Sequence, residues 1–172
     1  MINRRHIRVK VMQSAYALLQ SKSDNLNKEE KFLYASIDKM YDLYVLLLRL
    51  LVEVRDMEKK HIEISKKKHL ATPQELLPNT KFIDNQVFNV LSESYTMNEY
   101  LELNHLNYWS LDSEYVNDIL KSIKESKDYS LYMSSTESSF KEDMTFVDAV
   151  FYLCLWLFTN AQSDNYKQFK FV

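Results

Sequence analysis

The sequence predicts an all-α fold, a helical bundle with a basic N-terminal helix and one long central helix that carries a heptad pattern. The chain of 172 residues contains no glycine and two prolines, where average usage would give roughly 12 glycines. Tight hairpin turns and phosphate-binding loops need glycine. Its absence therefore counts against a β-rich fold and excludes the glycine-rich nucleotide-binding motifs. Helices need glycine least, and asparagine is expected to replace it where a helix ends in the left-handed conformation.

The first helix is predicted from about Arg4 to Gln20, with Asn3 as its N-cap. Apolar and small residues recur there at spacings of three and four, so they share one face. The residues of this face are Ile7, Val11, Ser14, Ala15 and Leu18. Arg5, Arg8, Met12 and Tyr16 fall on a neighbouring stripe.

The second helix has the clearest pattern. Asn27 and Glu30 resemble a capping box at its start, and the lysines at 66–68 suit the negative end of its dipole. Between Val45 and Val54 the helix is apolar nearly all round, which predicts a central place in the core. The heptad seam favours packing within the chain over its rival, a coiled-coil dimer. It consists of Leu33, Ile37, Met40, Tyr44, Leu47, Leu51 and Val54.

A break from about His69 to Thr80, with Pro73 and Pro78, separates the long helix from shorter ones. Asp112, Asp128 and the pair Ser139 and Glu142 are predicted caps. The expected spans are Asp84 to Ser92, Asn98 to Leu106, Asp112 to Glu125, Asp128 to Met133, and Ser139 to about Asn160. The third of these has an apolar face of Leu111, Tyr115, Val116, Ile119, Leu120 and Ile123. The segment from Gln162 to Val172 has no clear pattern.

The charge is unevenly distributed along the chain. Residues 1–70 hold 15 lysines and arginines and 9 acidic residues, whereas residues 71–172 hold 7 and 15. The first ten residues contain Arg4, Arg5, Arg8 and Lys10 and no acid. A basic end on an acidic chain indicates an anionic partner at that end, and a solvated basic helix is the alternative.

No pattern of catalytic or metal-binding residues is found. The four histidines lack a metal-ligand spacing, and Cys154 lies in an apolar run that predicts a buried small hydrophobe. We therefore expect no metal, no cofactor and no enzymatic activity. One cysteine, no signal peptide and no apolar run of about 20 residues indicate a cytoplasmic protein without a membrane span.

The N-terminal helix carries residues suited to RNA. Arg4, Arg5 and Arg8 lie within about one turn and can pair with successive phosphates, helped by the free amides of the helix start. His6 and Lys10 add to the basic cluster. Tyr16 lies on the adjoining stripe, where it either stacks on a base or is a core or boundary aromatic.

The run of arginines, followed by Gln13 and Tyr16, is similar to the opening helix of the NusB family of transcription antitermination factors. The segments NRRHIRVKVMQSAYA, DNLNKEEKFL, KKHLAT and MSSTESSFKED occur in order and resemble the long form found in Bacteroidetes. The resemblance implies an all-helical protein that binds boxA-type single-stranded RNA together with the ribosomal protein NusE (S10), in the elongation complex. By position it assigns RNA contact to Arg4, Arg5 and Arg8.

The resemblance covers residues 1–143. From residue 144 to 172 the sequence diverges into an apolar helix and tail, and we find none of the family's second helical half. The chain is then either a truncated or frame-shifted version or an unusual variant. Without that half, apolar surface is expected to remain exposed and to cause self-association.

The leading hypothesis is an RNA-binding antitermination factor. The alternative is a helical protein-interaction module, or an inactive truncated fragment, without RNA binding.

Overall fold

The computed structural model describes residues 3–21, 25–68, 77–136 and 138–164. Within these ranges the chain forms seven helices and no strand, which confirms the all-α prediction and the long second helix. The helices are α1 (Arg4–Ser21), α2 (Leu26–Lys66), α3 (Gln86–Ser92), α4 (Tyr95–Leu103), α5 (Ser113–Glu125), α6 (Lys127–Ser134) and α7 (Phe140–Asp164). Most of the predicted break, with Pro73, lies outside the described residues, as does the chain after Asp164.

Asparagine side chains start the first two helices. Asn3 is confirmed as the cap of α1, since its Oδ1 accepts hydrogen bonds from the backbone amides of Arg5 and His6 at 3.0 and 3.1 Å. The predicted start of α2 at Asn27 is wrong. Helix α2 begins at Leu26, and Asn25 Oδ1 accepts from the amide of Lys28 at 3.1 Å. The capping oxygen must reach the third helical amide, and Asn25 is the residue at that distance.

The later helices start close to the predicted caps, with two corrections. Ser139 Oγ accepts from the amide of Glu142 at 3.2 Å, as predicted for α7. The start of α6 is capped by Ser126, whose Oγ accepts from Tyr129 at 3.1 Å, and not by Asp128, which lies inside the first turn. Helix α4 begins at Tyr95 and not at Asn98, and it ends three residues before Leu106.

The end of α4 explains how this chain stops a helix without glycine. His105 has a φ of 54°, the left-handed conformation that glycine usually takes. Its amide donates to Glu102 at 3.2 Å, and the amide of Leu106 donates to Leu101 at 2.9 Å. This is the Schellman pattern, and the buried Leu106 adds its apolar contact. The expectation that asparagine would do this is wrong here, since Asn104 keeps a negative φ.

The chain divides into two compact units at residues 46 and 47, and α2 runs through the division. Unit 1 contains α1 and the first part of α2. Unit 2 contains the rest of α2 and the five later helices. Helix α7 also runs without a break through residue 143, where the family resemblance stops.

The core of unit 2 forms around the second part of α2 and around α7. The prediction for Val45 to Val54 is confirmed, since Leu50, Leu51, Val52 and Val54 are at most 1% exposed. Helix α7 packs against α3, α5 and α6 and buries Phe146, Val147, Val150 and Cys154. Helix α5 contributes Val116, Ile119, Leu120 and Ile123, as predicted. Leu111 is the exception at 82% exposed, because it lies in the turn before α5 begins.

A buried polar network joins α3, α6 and α7 in unit 2. The carboxylate of Asp143 accepts hydrogen bonds from the Tyr132 hydroxyl at 2.6 Å and from the amide of Gln86 at 3.0 Å. Asn85 caps α3 through its Oδ1 and donates from Nδ2 to Tyr132 at 3.0 Å. Asp143 and Asn85 are only 4% and 1% exposed. These bonds satisfy the buried side chains of Asp143, Asn85 and Tyr132 where α7 packs on α3.

Unit 1 buries much less. Helix α1 has no buried residue, and two members of its apolar face, Ile7 and Val11, are 40% and 46% exposed. Among the described residues, this face is therefore not part of a buried core. Of the upper heptad seam, Leu33, Ile37 and Met40 are half-buried and Tyr44 is exposed.

In the part of the chain that the structure describes, every helix is too short or too polar to cross a membrane.

Candidate nucleic-acid interface

The first turn of α1 holds the predicted basic residues in place. Arg5 and His6 donate their backbone amides to the Asn3 side chain, so these two amides are occupied. The expectation that the helix start offers free amides to an anion is therefore wrong at both positions. An anion at this end of α1 is therefore attracted by the exposed side chains and not by these two amides.

Arg4, Arg5 and Arg8 share one stripe of α1. Successive residues rotate by about 100° around a helix, so Arg4 and Arg8 differ by about 40°, and Arg5 lies about 60° beyond Arg8. Arg4 and Arg8 are about 6 Å apart along the axis. All three side chains are exposed, and no ion pair joins them to an acid among the residues that the structure describes. The three guanidiniums therefore face solvent with their charges uncompensated.

Tyr16 lies on the same stripe, further along α1. Its position is about 20° from Arg5 around the axis and about 12 Å beyond Arg8 along it. Its side chain is 65% exposed, and its hydroxyl accepts a hydrogen bond from Gln20 Nε2 at 3.0 Å. The interpretation of Tyr16 as a core aromatic is therefore wrong. The ring stands in solvent, where one face can receive a base.

Met12 and Leu19 complete this surface, which we call the α1 stripe: Arg4, Arg5, Arg8, Met12, Tyr16 and Leu19. Met12 and Leu19 are 68% and 78% exposed. The stripe is thus basic in its first half and apolar in its second half.

His6 and Lys10 lie away from the α1 stripe. His6 is about 100° beyond Arg5 around the helix, and its Nδ1 accepts from the Asn3 amide at 3.4 Å. Lys10 is half-buried and lines a groove of about 450 Å³ between α1 and α2. The structure therefore brings four of the six predicted residues together and places these two on other faces.

A second group of cations lies near the end of α2, in unit 2. Lys59, Lys60 and the lysines at 66–68 are exposed. The terminal lysines are predicted to interact with the negative end of the α2 dipole. They are spread over more than two helical turns and have no aromatic residue comparable to Tyr16 on a shared stripe. They serve as a matched set of cations against which the arginines can be tested.

The described residues give little support for a metal site or a reactive cysteine. No group of three or more histidine, cysteine, aspartate or glutamate side chains there is arranged to hold a metal ion. Cys154 is 1% exposed, and burial raises the pKa of its thiol to about 12. A buried thiol with so high a pKa carries almost no thiolate at neutral pH, which agrees with its prediction as a small hydrophobe.

Comparison with known proteins adds no relative: no protein-family model, curated protein or solved structure matches this chain.

Proposed function

We propose that this chain is an RNA-binding transcription antitermination factor resembling NusB. In this proposal the α1 stripe holds single-stranded, boxA-type RNA, with Arg4, Arg5 and Arg8 on phosphates and Tyr16 stacked on a base. The ribosomal protein NusE and the cytoplasmic elongation complex are its proposed partners. The chain acts by binding and catalyses no reaction.

One observation carries the RNA part of this proposal: three arginines and a tyrosine are exposed on one stripe, and the arginines lack acidic partners among the described residues. An arginine guanidinium donates two parallel hydrogen bonds to a phosphate and stays charged at any physiological pH. Because these guanidiniums are exposed and have no carboxylate partner among the described residues, their N–H groups remain available to a ligand. An adjacent exposed aromatic ring supports single-stranded RNA in particular, since unpaired bases stack on such rings.

The NusE part of the proposal rests on the resemblance and on the apolar half of the α1 stripe. Three arginine contacts supply mainly sequence-independent attraction, which is weak at physiological salt. A protein partner that binds next to the RNA would add both affinity and selectivity. Met12 and Leu19, 68% and 78% exposed, offer apolar surface of the kind found at protein interfaces.

Fluorescence anisotropy with a labelled boxA-type RNA, with and without NusE, tests the proposal. The triple variant Arg4→Ala, Arg5→Ala, Arg8→Ala should bind at least about tenfold more weakly, because each phosphate contact is charge-assisted. A matched control removes three exposed cations elsewhere: Lys59→Ala, Lys60→Ala and Lys67→Ala. Equal losses of RNA affinity in the two triple variants would show that the interaction depends on overall charge and not on the α1 stripe. Normal binding by the arginine variant would refute the proposal.

A protein-interaction module without RNA binding is the second candidate, favoured by the weak burial of the described residues of unit 1 before Val45. Phe32 and Tyr34 on α2 are 63% and 61% exposed, in addition to the apolar half of the α1 stripe. Under this candidate NusE binds equally well with or without RNA, and the arginine triple variant binds NusE normally. Under the leading proposal RNA and NusE each strengthen binding of the other.

A further inference from the structure

Two exposed apolar rows of this chain have matching lengths and opposite charges. The first is the groove of unit 1, which Lys10 of α1 lines together with Phe32, Ala35, Ser36, Lys39, Met40 and Leu43 of α2. The second is the outer row of α7 in unit 2, with one large or charged side chain at every fourth position over about 120° of the helix surface: Met144, Asp148, Tyr152 and Trp156. We call these two surfaces the groove and the α7 row.

The groove has the form that receives a helix. Its α2 residues recur at spacings of three and four, so they face one direction over about 17 Å of helix, and Lys10 closes one side. The largest side chains, Phe32 and Leu43, stand at the two ends and are 63% and 38% exposed. Ala35 and Ser36, the smallest, lie between them. A helix that docks here would meet large side chains at both ends and a hollow in the middle.

The α7 row is a helix face of the complementary kind. From Met144 to Trp156 it extends about 18 Å, close to the length of the groove. Tyr152 and Trp156 are 71% and 61% exposed, and Met144 is 46% exposed. So much exposed aromatic surface on a single helix is typical of an interface and not of a solvated face.

Charge and size fix a register between the two. When α7 runs antiparallel to α2 with Asp148 opposite Lys39, the spacing of four residues on each helix places Met144 at Leu43. The same spacing in the other direction places the large ring of Tyr152 at the small Ala35, and it places Trp156 opposite position 31, one residue beyond Phe32 at the groove end. Large side chains fall opposite small ones, or meet at the groove ends, as knobs do in holes.

The groove is cationic where the α7 row is anionic. Lys39 and Lys10 are the two charged residues of the groove, and Asp148 is the one charged residue of the row. Lys39 is held by Asp42 on its own helix at 3.5 Å but keeps 73% of its side chain exposed. Its ammonium therefore remains accessible to a second carboxylate, and three donors allow it to bind both.

We propose that two copies of this chain associate by docking the α7 row of one copy in the groove of the other. The contact joins two different surfaces, so a single docking event is enough to link two copies. The arginines of the α1 stripe lie on a different face of α1 from Lys10, so this association does not depend on the RNA-binding proposal.

Sedimentation velocity on the full chain, from about 1 to about 100 μM, tests the association. The wild type should shift from monomer toward dimer across this range. Lys39→Glu places a second carboxylate against Asp148 and should raise the dissociation constant at least about tenfold. Lys59→Glu, an exposed lysine of α2 outside the groove, should leave the constant unchanged.

A charge exchange identifies the contact itself. Asp148→Lys should weaken association as Lys39→Glu does, and the double variant should return to within about threefold of the wild type, because the pair is restored with its signs reversed. Tyr152→Ser should weaken association without any change of charge. All of these positions are solvent-exposed, and circular dichroism melts verify that each variant folds. A monomer at every concentration, or an association that the single charge variants leave unchanged, overturns the proposal.

Discussion

Removal of the Asp143 carboxylate should destabilise unit 2 substantially. This side chain is 4% exposed and accepts two hydrogen bonds, from the Tyr132 hydroxyl at 2.6 Å and from the Gln86 amide at 3.0 Å. Hydrogen bonds to a charged acceptor contribute about 1.5–3 kcal/mol each. The substitution also relieves the cost of burying a carboxylate, which offsets part of the loss. We expect Asp143→Ala to lower the free energy of unfolding by about 2–4 kcal/mol.

Tyr132→Phe separates the hydrogen bond from the packing. It removes the hydroxyl but keeps the ring, which stacks on Phe146 with centroids 4.0 Å apart. The expected loss is about 1–2 kcal/mol. Because both substitutions remove the same hydrogen bond, the double variant should lose less than the sum, with a coupling energy of about 1 kcal/mol. Glu63→Ala, at an exposed acidic residue of unit 2, is the control and should change stability by less than about 0.5 kcal/mol.

Urea denaturation followed by tryptophan fluorescence measures these losses, because Trp109 and Trp156 both belong to unit 2. The slope of the transition should be the same for all variants, so that midpoints report stability. A loss below about 1 kcal/mol for Asp143→Ala, together with no coupling to Tyr132→Phe, would show that the network contributes little to stability.

Three further predictions follow from how far individual side chains are buried or exposed. Leu47→Ala and Leu51→Ala should each cost about 2–5 kcal/mol in urea denaturation, because both residues are buried in α2, whereas Leu19→Ala, 78% exposed, should cost less than about 0.5 kcal/mol. Burial, with a smaller contribution from Glu58, raises the pKa of Tyr129 to about 12, so its contribution to stability is complete below about pH 10 and is lost as the pH rises toward 12. Melts at about pH 9 and about pH 11 should show a smaller alkaline loss in Tyr129→Phe. Tyr16→Ala should weaken RNA binding by about 1–3 kcal/mol in anisotropy titrations, and Tyr16→Phe should retain it, since stacking needs the ring and not the hydroxyl.

Elements with strong local signals could be predicted from the sequence. The stretch from Val45 to Val54 is apolar nearly all round, so a compact fold is expected to bury it. The four residues of α5 at 116, 119, 120 and 123 could only form one face. The caps Asn3 and Ser139 each stand directly before a clear helical pattern. In these cases local chemistry and tertiary packing favour the same structure.

Other features depend on distances that sequence spacing does not determine. Several asparagines and serines precede α2 and α6, and the cap is whichever side chain reaches the third amide. His105 takes a left-handed conformation because the helix must turn there, although histidine is an uncommon choice. The polar network around Asp143 joins three helices that are up to 58 residues apart in sequence. No local pattern could have predicted that contact.

The candidate site shows the same division. The arginines and Tyr16 could be proposed as RNA contacts from residue type, and helical spacing places them on one stripe; their contact with RNA stays a prediction. Sequence spacing could also have separated Lys10 from that stripe, since it differs from Arg8 by about 200° around the helix. The groove that Lys10 lines was not predicted, because it exists only where α1 and α2 of unit 1 come together.

The salt dependence of RNA binding tests the central claim most directly. If Arg4, Arg5 and Arg8 neutralise about three phosphates of single-stranded RNA, log K should fall against log salt with a slope of about −2. The triple alanine variant should show a slope close to zero, and the control variant at Lys59, Lys60 and Lys67 should keep the wild-type slope. An affinity of the wild type that does not change with salt, or the same slope in the arginine variant, would contradict RNA binding by the α1 stripe.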